Sequence, residues 1–177
     1  MILVVCEHDG SKLKKNALEL LGAALRLEEG VTALVMGKGA ENVATEAARY
    51  AAQVLIASDA KLEPYTAKLH AHAIADLAGQ AEASLVLIAG SRGGREVAPR
   101  VAVRLDAPYL EDAIALEGVE GGLRIRHYAF LARVTETLER ARPSWSPRSN
   151  RTRRRWRNPG LKLGKSSRSN SSCRTAA

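Results

Sequence analysis

The sequence predicts a doubly wound α/β domain, a parallel sheet covered by helices on both faces. Three observations carry that prediction. Four short apolar runs, 2–6, 31–35, 54–57 and 85–89, are nearly unbroken and read as strands buried on both sides. Between them apolar residues recur at helical spacing. Each run leads into a polar or glycine-bearing turn, the opening of a βα unit.

Taken in order, Ile2-Leu-Val-Val-Cys6 is the first strand. Ser11 is read as the N-cap of a first helix striped by Leu13, Ala17, Leu18, Leu21, Ala24 and Leu25, with Gly30 ending it. Val31 to Val35 is the second strand, and Gly37-Lys38-Gly39 turns into a helix with Val43, Ala44, Ala47 and Ala51 on one face. Val54 to Ala57 is the third strand. Ser58, Asp59 and Pro64 punctuate the next turn, and Tyr65, Leu69, Ala73 and Leu77 stripe a third helix. Leu85 to Ala89 is the fourth strand. The turn Gly90 to Arg95 then leads to a helix striped by Val97, Val101, Ala102 and Leu105, with Glu96 and Pro99 placed in its first turn. After Pro108 the period changes to loose alternation, 109–117 and 123–130, around Gly118, Gly121 and Gly122. That pattern is a β-hairpin at the sheet's edge. Right-handed crossovers make the whole a Rossmann-like three-layer domain.

Charge divides the chain at residue 140. The net +8 over 177 residues would point to a nucleic-acid binder. Residues 141–177, however, carry eleven Lys and Arg and no Asp or Glu, which leaves the first 140 residues at −3. The domain expected over 1–140 is therefore mildly acidic. The 141–177 tail, rich in Arg, Ser, Pro and Asn, is expected to be disordered and to touch nucleic acid only non-specifically, with RNA binding through this basic arm as an alternative function. Cys6 and Cys173 make neither a disulfide framework nor a metal set. No apolar run approaches the length of a membrane span, and no basic-then-apolar leader opens the chain, so a cytoplasmic protein without membrane insertion is expected.

The chemistry-bearing candidates lie at the turns after the first and fourth strands. Gly90, Ser91, Arg92, Gly93, Gly94 and Arg95 offer a helix start with added positive charge, an arrangement able to hold an anion. It is neither G-x-G-x-x-G nor a P-loop, and Glu96 would repel a phosphate. The glycines read more readily as a tight turn that lets the helix approach the sheet. His8, Asp9 and Gly10 follow the first strand, where open sheets bind ligands, and complete the nucleotide candidates. His70 and His72 are two apart and share no helix face, and neither they nor His127 has a metal-ligand spacing. Gly37 and Gly39 read as a structural turn. No nucleophile–base pair is apparent, since Ser91 lies outside any G-x-S-x-G, so neither a catalytic nor a metal site is expected.

Four stretches carry a family resemblance: I-L-V-V-C-E-H at 2–8, V-M-G-K-G-A-E at 35–41, A-A-R-Y-A-A-Q-V-L-I-A-S-D at 47–59 and, most specifically, G-R-E-V-A-P-R-V-A-V-R-L at 94–105. With these, residues 1–139 resemble the N-terminal domain of the electron transfer flavoprotein α-subunit. The resemblance implies an adenine-nucleotide-hydrolase-like domain that does not itself hold a nucleotide. It implies a heterodimer with a β-subunit, one FAD held mainly by a C-terminal α-subunit domain that this chain does not reach, and AMP in the β-subunit. It further implies electron transfer from acyl-CoA and related dehydrogenases to a membrane quinone reductase. The chain itself would be a carrier-subunit fragment and not an enzyme, with no cofactor of its own.

At the tail the resemblance stops, and the expectation is a shifted reading frame. Trp145 has the single codon TGG. With TCN for Ser144 and Ser146, CCN for Pro and CGN for Arg, reading from the third base of the Pro143 codon yields an apolar run. The bases under Asn150 to Arg153 then yield Pro or Ser followed by Asn. An apolar strand and a Pro-Asn turn are what the family has there. Loss of that strand is expected to leave one sheet position empty, with an edge open to aggregation.

Overall fold

The computed structural model describes residues 1–27, 30–141 and 163–167, the last five as backbone only. Its elements are β1 (Ile2–Cys6), α1 (Lys15–Leu25), β2 (Val31–Met36), α2 (Ala40–Ala47), β3 (Gln53–Ala57), a 3-10 turn (Ala60–Leu62), α3 (Ala67–Gln80), β4 (Leu85–Ile88), α4 (Arg92–Leu105), β5 (Ala113–Val119), β6 (Gly122–Ala129), β7 (Val134–Ala141) and β8 (Leu163–Ser167). The main sheet has the order β4-β1-β2-β3-β8. Its first four strands are parallel, as the continuous apolar runs require.

The two-residue period of a strand divides the core. Ile2, Val4 and Cys6 of β1 face a cluster with Ala17, Leu21 and Ala24 of α1 and Val43 and Ala47 of α2. Leu3 and Val5 face the other way, into a cluster with Ile74 and Leu77 of α3 and Val97 and Val101 of α4. All five β1 side chains are buried, so β1 is the spine of the three layers.

Helix details differ from the sequence expectation. Ser11 caps nothing; its backbone N–H and hydroxyl both donate to Asp9 Oδ1, and α1 starts after Lys14. On α3, Tyr65 precedes the helix and Leu69 is exposed. The buried face is Ala71, Ile74, Leu77 and Ala78, because small residues let the helix lie close to its neighbours. The glycine turn after β4 is shorter than expected: α4 begins at Arg92, so Gly93, Gly94 and Arg95 are already helical. Pro99 is thus inside the helix, where it removes the bond its N–H would make to the Arg95 carbonyl.

The expected hairpin is present as β5 and β6, with its turn at Glu120-Gly121, but it belongs to a separate antiparallel sheet of order β5-β6-β7. Its third strand, V-T-E-T-L-E-R-A, is too rich in charge to stand out in the sequence. Leu116 and Leu123 pack this sheet onto the α1-side core. The tail also departs from expectation. Leu163–Ser167, placed in a disordered segment by composition, pairs antiparallel with β3 from Gln53↔Ser167 to Ala57↔Leu163. An exposed edge offers unpaired backbone donors and acceptors to any extended segment, whatever its side chains. The stretch that carries the expected frame shift, 143–153, lies outside the described residues. Among the described strands β4 is the sheet's other end.

Gly94 is what brings α4 down onto β4. A Cβ there would overlap the Ala89 carbonyl oxygen and stand 3.2 Å from Ile88 Cγ2. Gly→Ala inside a helix ordinarily stabilises by about 1 kcal/mol. Gly94→Ala is expected to destabilise instead, by about 1–3 kcal/mol through overpacking. Gly93→Ala, whose Cβ would make only ordinary contact with Tyr65, at 3.5 Å from Oη and 3.9 Å from Cζ, serves as the neutral or stabilising control. Urea unfolding midpoints of the two variants check the contrast.

Candidate functional site

In a doubly wound sheet ligands bind beyond the carboxyl ends of the strands, where the winding reverses. Here that point is the crevice between β1 and β4, walled by the 7–14 loop and the start of α4. The sequence candidates after the first and fourth strands do come together there.

The centre of the crevice is a residue that the sequence reading did not single out. Glu7, the residue after β1, accepts a short hydrogen bond from Ser91 Oγ and another from Asn16 Nδ2 at 3.0 Å, and pairs with Lys14 Nζ at 3.5 Å. Ser91 Oγ in turn accepts from Gly94 N at 3.0 Å, which makes Ser91 the N-cap of α4. A carboxylate therefore stands one hydroxyl away from the positive end of the helix, where an anionic ligand would otherwise sit. Burial alone would raise the Glu7 carboxyl. The hydrogen bonds from Ser91 and Asn16 and the Lys14 charge outweigh it and hold the carboxyl below its ordinary value of 4.5. The signal available in the sequence was a lone acid closing an otherwise apolar strand.

The other candidates are engaged within the fold. His8 Nε2 lies 2.9 Å from the Met36 carbonyl oxygen, while Gly10 N donates to His8 Nδ1 at 3.1 Å. That pair of contacts requires the Nε2–H tautomer and uses both ring nitrogens. Asp9 Oδ1 accepts from Ser11 and Lys12, and these bonds, Lys12's N–H first, bring its carboxyl down to about 2. Gly10 has φ +93°, and Asn42 Nδ2 donates to its carbonyl at 3.1 Å. A Cβ on Gly39 would stand 2.7 Å from Gly10 Cα, so the loops after β1 and β2 pack backbone to backbone. Arg95 Nε donates to the Gly90 carbonyl at 3.2 Å, and its outer nitrogen pairs with Asp112 at 2.7 Å. The Gly93 carbonyl accepts from Tyr65 Oη at 3.4 Å, and Arg92 is exposed.

Carboxylates likewise satisfy the neighbouring turns. Glu46 accepts from Leu13 N at 2.8 Å and Glu63 from Lys38 N at 3.1 Å. His70, at 3.2 Å from the Thr66 carbonyl oxygen and with its ring 4.7 Å from that of Tyr65, and His72 lie on α3. His127, buried on β6, is 3.6 Å from the Glu136 carboxylate. Burial pushes the Cys6 thiol up to about 12, which leaves it a small apolar side chain. Among the described residues no three His, Cys, Asp or Glu converge as metal ligands, and no helix is long and apolar enough to cross a membrane.

The site's stability should depend on pH with a definite sign. The folded chain holds the Glu7 proton less tightly than the unfolded chain does. The contribution is therefore full above the ordinary carboxyl value and is lost as pH falls through the lowered one. Glu7→Gln is expected to lower the melting temperature at pH 7 and to have less effect at pH 3. Ser91→Ala, which removes cap and partner together, should cost about 1–2 kcal/mol at neutral pH. Thermal denaturation of the three proteins across that range checks both.

The geometry can be set beside known proteins. A model of the electron transfer flavoprotein domain matches residues 2–145. The chain is 32% identical over 143 residues to Protein FixB of Clostridium saccharobutylicum, covering 77% of this chain and 43% of that one. It is 36% identical over 129 residues to an electron transfer flavoprotein subunit alpha of Mycobacterium tuberculosis, covering 70% and 39%. It is 28% identical over 121 residues to an acryloyl-CoA reductase electron transfer subunit beta of Anaerotignum propionicum, covering 66% and 33%. The chain spans less than half the length of each of these relatives.

Proposed function

This chain belongs to the electron transfer flavoprotein family, and we propose that it supplies the N-terminal α/β domain of an α-subunit, a docking and scaffolding module that performs no chemistry alone. The observation that supports this most is the family match across the α/β body and the second sheet together, residues 2–145. In this reading the domain pairs with a β-subunit in the cytoplasm. The complete complex then carries electrons on FAD from acyl-CoA and related dehydrogenases towards a quinone reductase. FAD binding is assigned to the length of the relatives that this chain does not match, and AMP to the β-subunit.

The carboxylate at the crevice favours this reading over a stand-alone nucleotide domain that would use His8, Asp9, Gly10, Gly90 and Ser91. A phosphate approaching Ser91 would meet Glu7 already in place, so binding would cost both repulsion and the bonds from Ser91 and Asn16.

Co-expression with a family β-subunit is expected to yield a one-to-one complex. The chain alone, mixed with FAD and desalted, should come through colourless. Millimolar AMP or ATP should leave its melting temperature unchanged, since only a ligand that binds the folded state raises it. A stoichiometrically yellow chain would contradict the FAD assignment. A nucleotide-dependent rise of several degrees would favour the stand-alone reading instead.

A further inference from the structure

The β3 border of the main sheet remains unused by that reading. β3 is covered on both faces, with Val54 in the α1-side core and Leu55 and Ala57 in the cluster of α3 and α4. One of its edges pairs with β2 without a break, from Gln53 to Ala57. Left bare, the other edge would be a Q-V-L-I-A strand with no charge, proline or bulge. Such a strand has none of the features that keep an edge from pairing with another chain.

The edge is not bare. β8 lies antiparallel along the whole of β3, from Gln53↔Ser167 to Ala57↔Leu163, with no shift of register. The strand that takes the border is L-G-K-S-S, and Lys165, opposite Leu55, stands at its centre. A short strand with a lysine at its middle and few apolar residues is what ends a sheet against further pairing. Residues 142–162 join β7 to β8. A link of that length can reach at most about 80 Å, and its closure costs little more than that of a shorter one. Tethering makes the pairing intramolecular, so backbone bonds too weak to retain a free peptide suffice within one chain.

We propose that residues 163–167 act as a strap. The β3 edge is a strand-addition site, and the chain fills it with a segment of its own basic tail, so that an apolar, charge-free edge does not pair with other chains. The tail thereby has a role that its composition conceals, since strand addition selects on backbone donors and acceptors. This role is independent of the subunit assignment above, because it concerns a sheet edge and neither a cofactor nor a partner subunit.

Residue-resolved hydrogen exchange of the full chain tests it. The β3 amides that face away from β2 should exchange at least about tenfold more slowly than their intrinsic rates. Residues of β8 alternate between bonding β3 and facing outward, and proline removes a ladder bond only where its N–H was used. Two full-length double variants therefore separate the sides: Gly164→Pro with Ser166→Pro, and Leu163→Pro with Lys165→Pro. One of them places its prolines against β3. That one should speed exchange of the outer β3 amides by about tenfold or more and hasten aggregation followed by light scattering. The other should match the parent in both. Amides of β1 should stay protected in each, which confirms the fold, and the parent's own exchange is read whether or not a variant folds. Outer β3 amides that exchange at intrinsic rates in the parent, two variants that behave alike, or a released edge that aggregates no faster than the parent would each overturn the proposal.

Discussion

Helix α4 starts against the end of the sheet, and two contacts hold it there. The Gly94 backbone lies against the Ala89 carbonyl with no room for a side chain, and Ser91 joins the helix N-terminus to Glu7. These contacts set where the first turn of α4 stands over the β1–β4 crevice. A helix N-terminus carries about half a positive charge, and one of its donors is met here by Ser91. Glu7 then supplies the negative charge that a phosphate supplies at a nucleotide-binding helix N-terminus. The carboxylate is partly exposed, so its Coulombic share is screened. Its hydrogen bonds from Ser91 and Asn16 fix its position all the same.

The rest of the rim follows the same pattern. Glu46 and Glu63 each accept from a backbone N–H in a loop beyond the strands, and His8 joins the end of β1 to the end of β2. Gly39 against Gly10 brings two of these loops into backbone contact. Polar groups that could face a ligand are instead engaged in holding loops to one another.

The parallel core was legible because its strands are buried on both faces, so hydrophobicity alone marks them. The family pattern at 94–105 was legible for a related reason: Gly94, Val97 and Val101 form the buried stripe of α4. What escaped the sequence depended on contacts between distant segments. Nothing local tells Glu7 from any acid after a strand; its partner Ser91 is 84 residues away. The start of α4 was placed too late because two glycines resemble a turn. Pro99 was placed in a first turn although seven helical residues precede it. Strand β7 was missed because Glu136, Glu139 and Arg140 break up its few apolar residues, and its place is fixed by pairing with β6. Strand β8 was missed because edge pairing selects on backbone rather than side chains.

The two sheets divide the work of the surface. The main sheet is sealed on both faces by helices and bordered beyond β3 by β8, so it offers rigidity and little contact area. The three-stranded sheet is anchored to the α1-side core through Leu116 and Leu123 and carries Ile114, Tyr128, Phe130, Leu131 and Val134 outward. Those five side chains add little burial to the fold, and three successive left-handed residues at the turn cost about 1–2 kcal/mol each. A compact domain can carry that cost only because its buried core offsets it. The body thus carries a second sheet with a strained turn, and the most exposed large apolar side chain among the described residues, Leu131, stands on that turn rather than at the crevice.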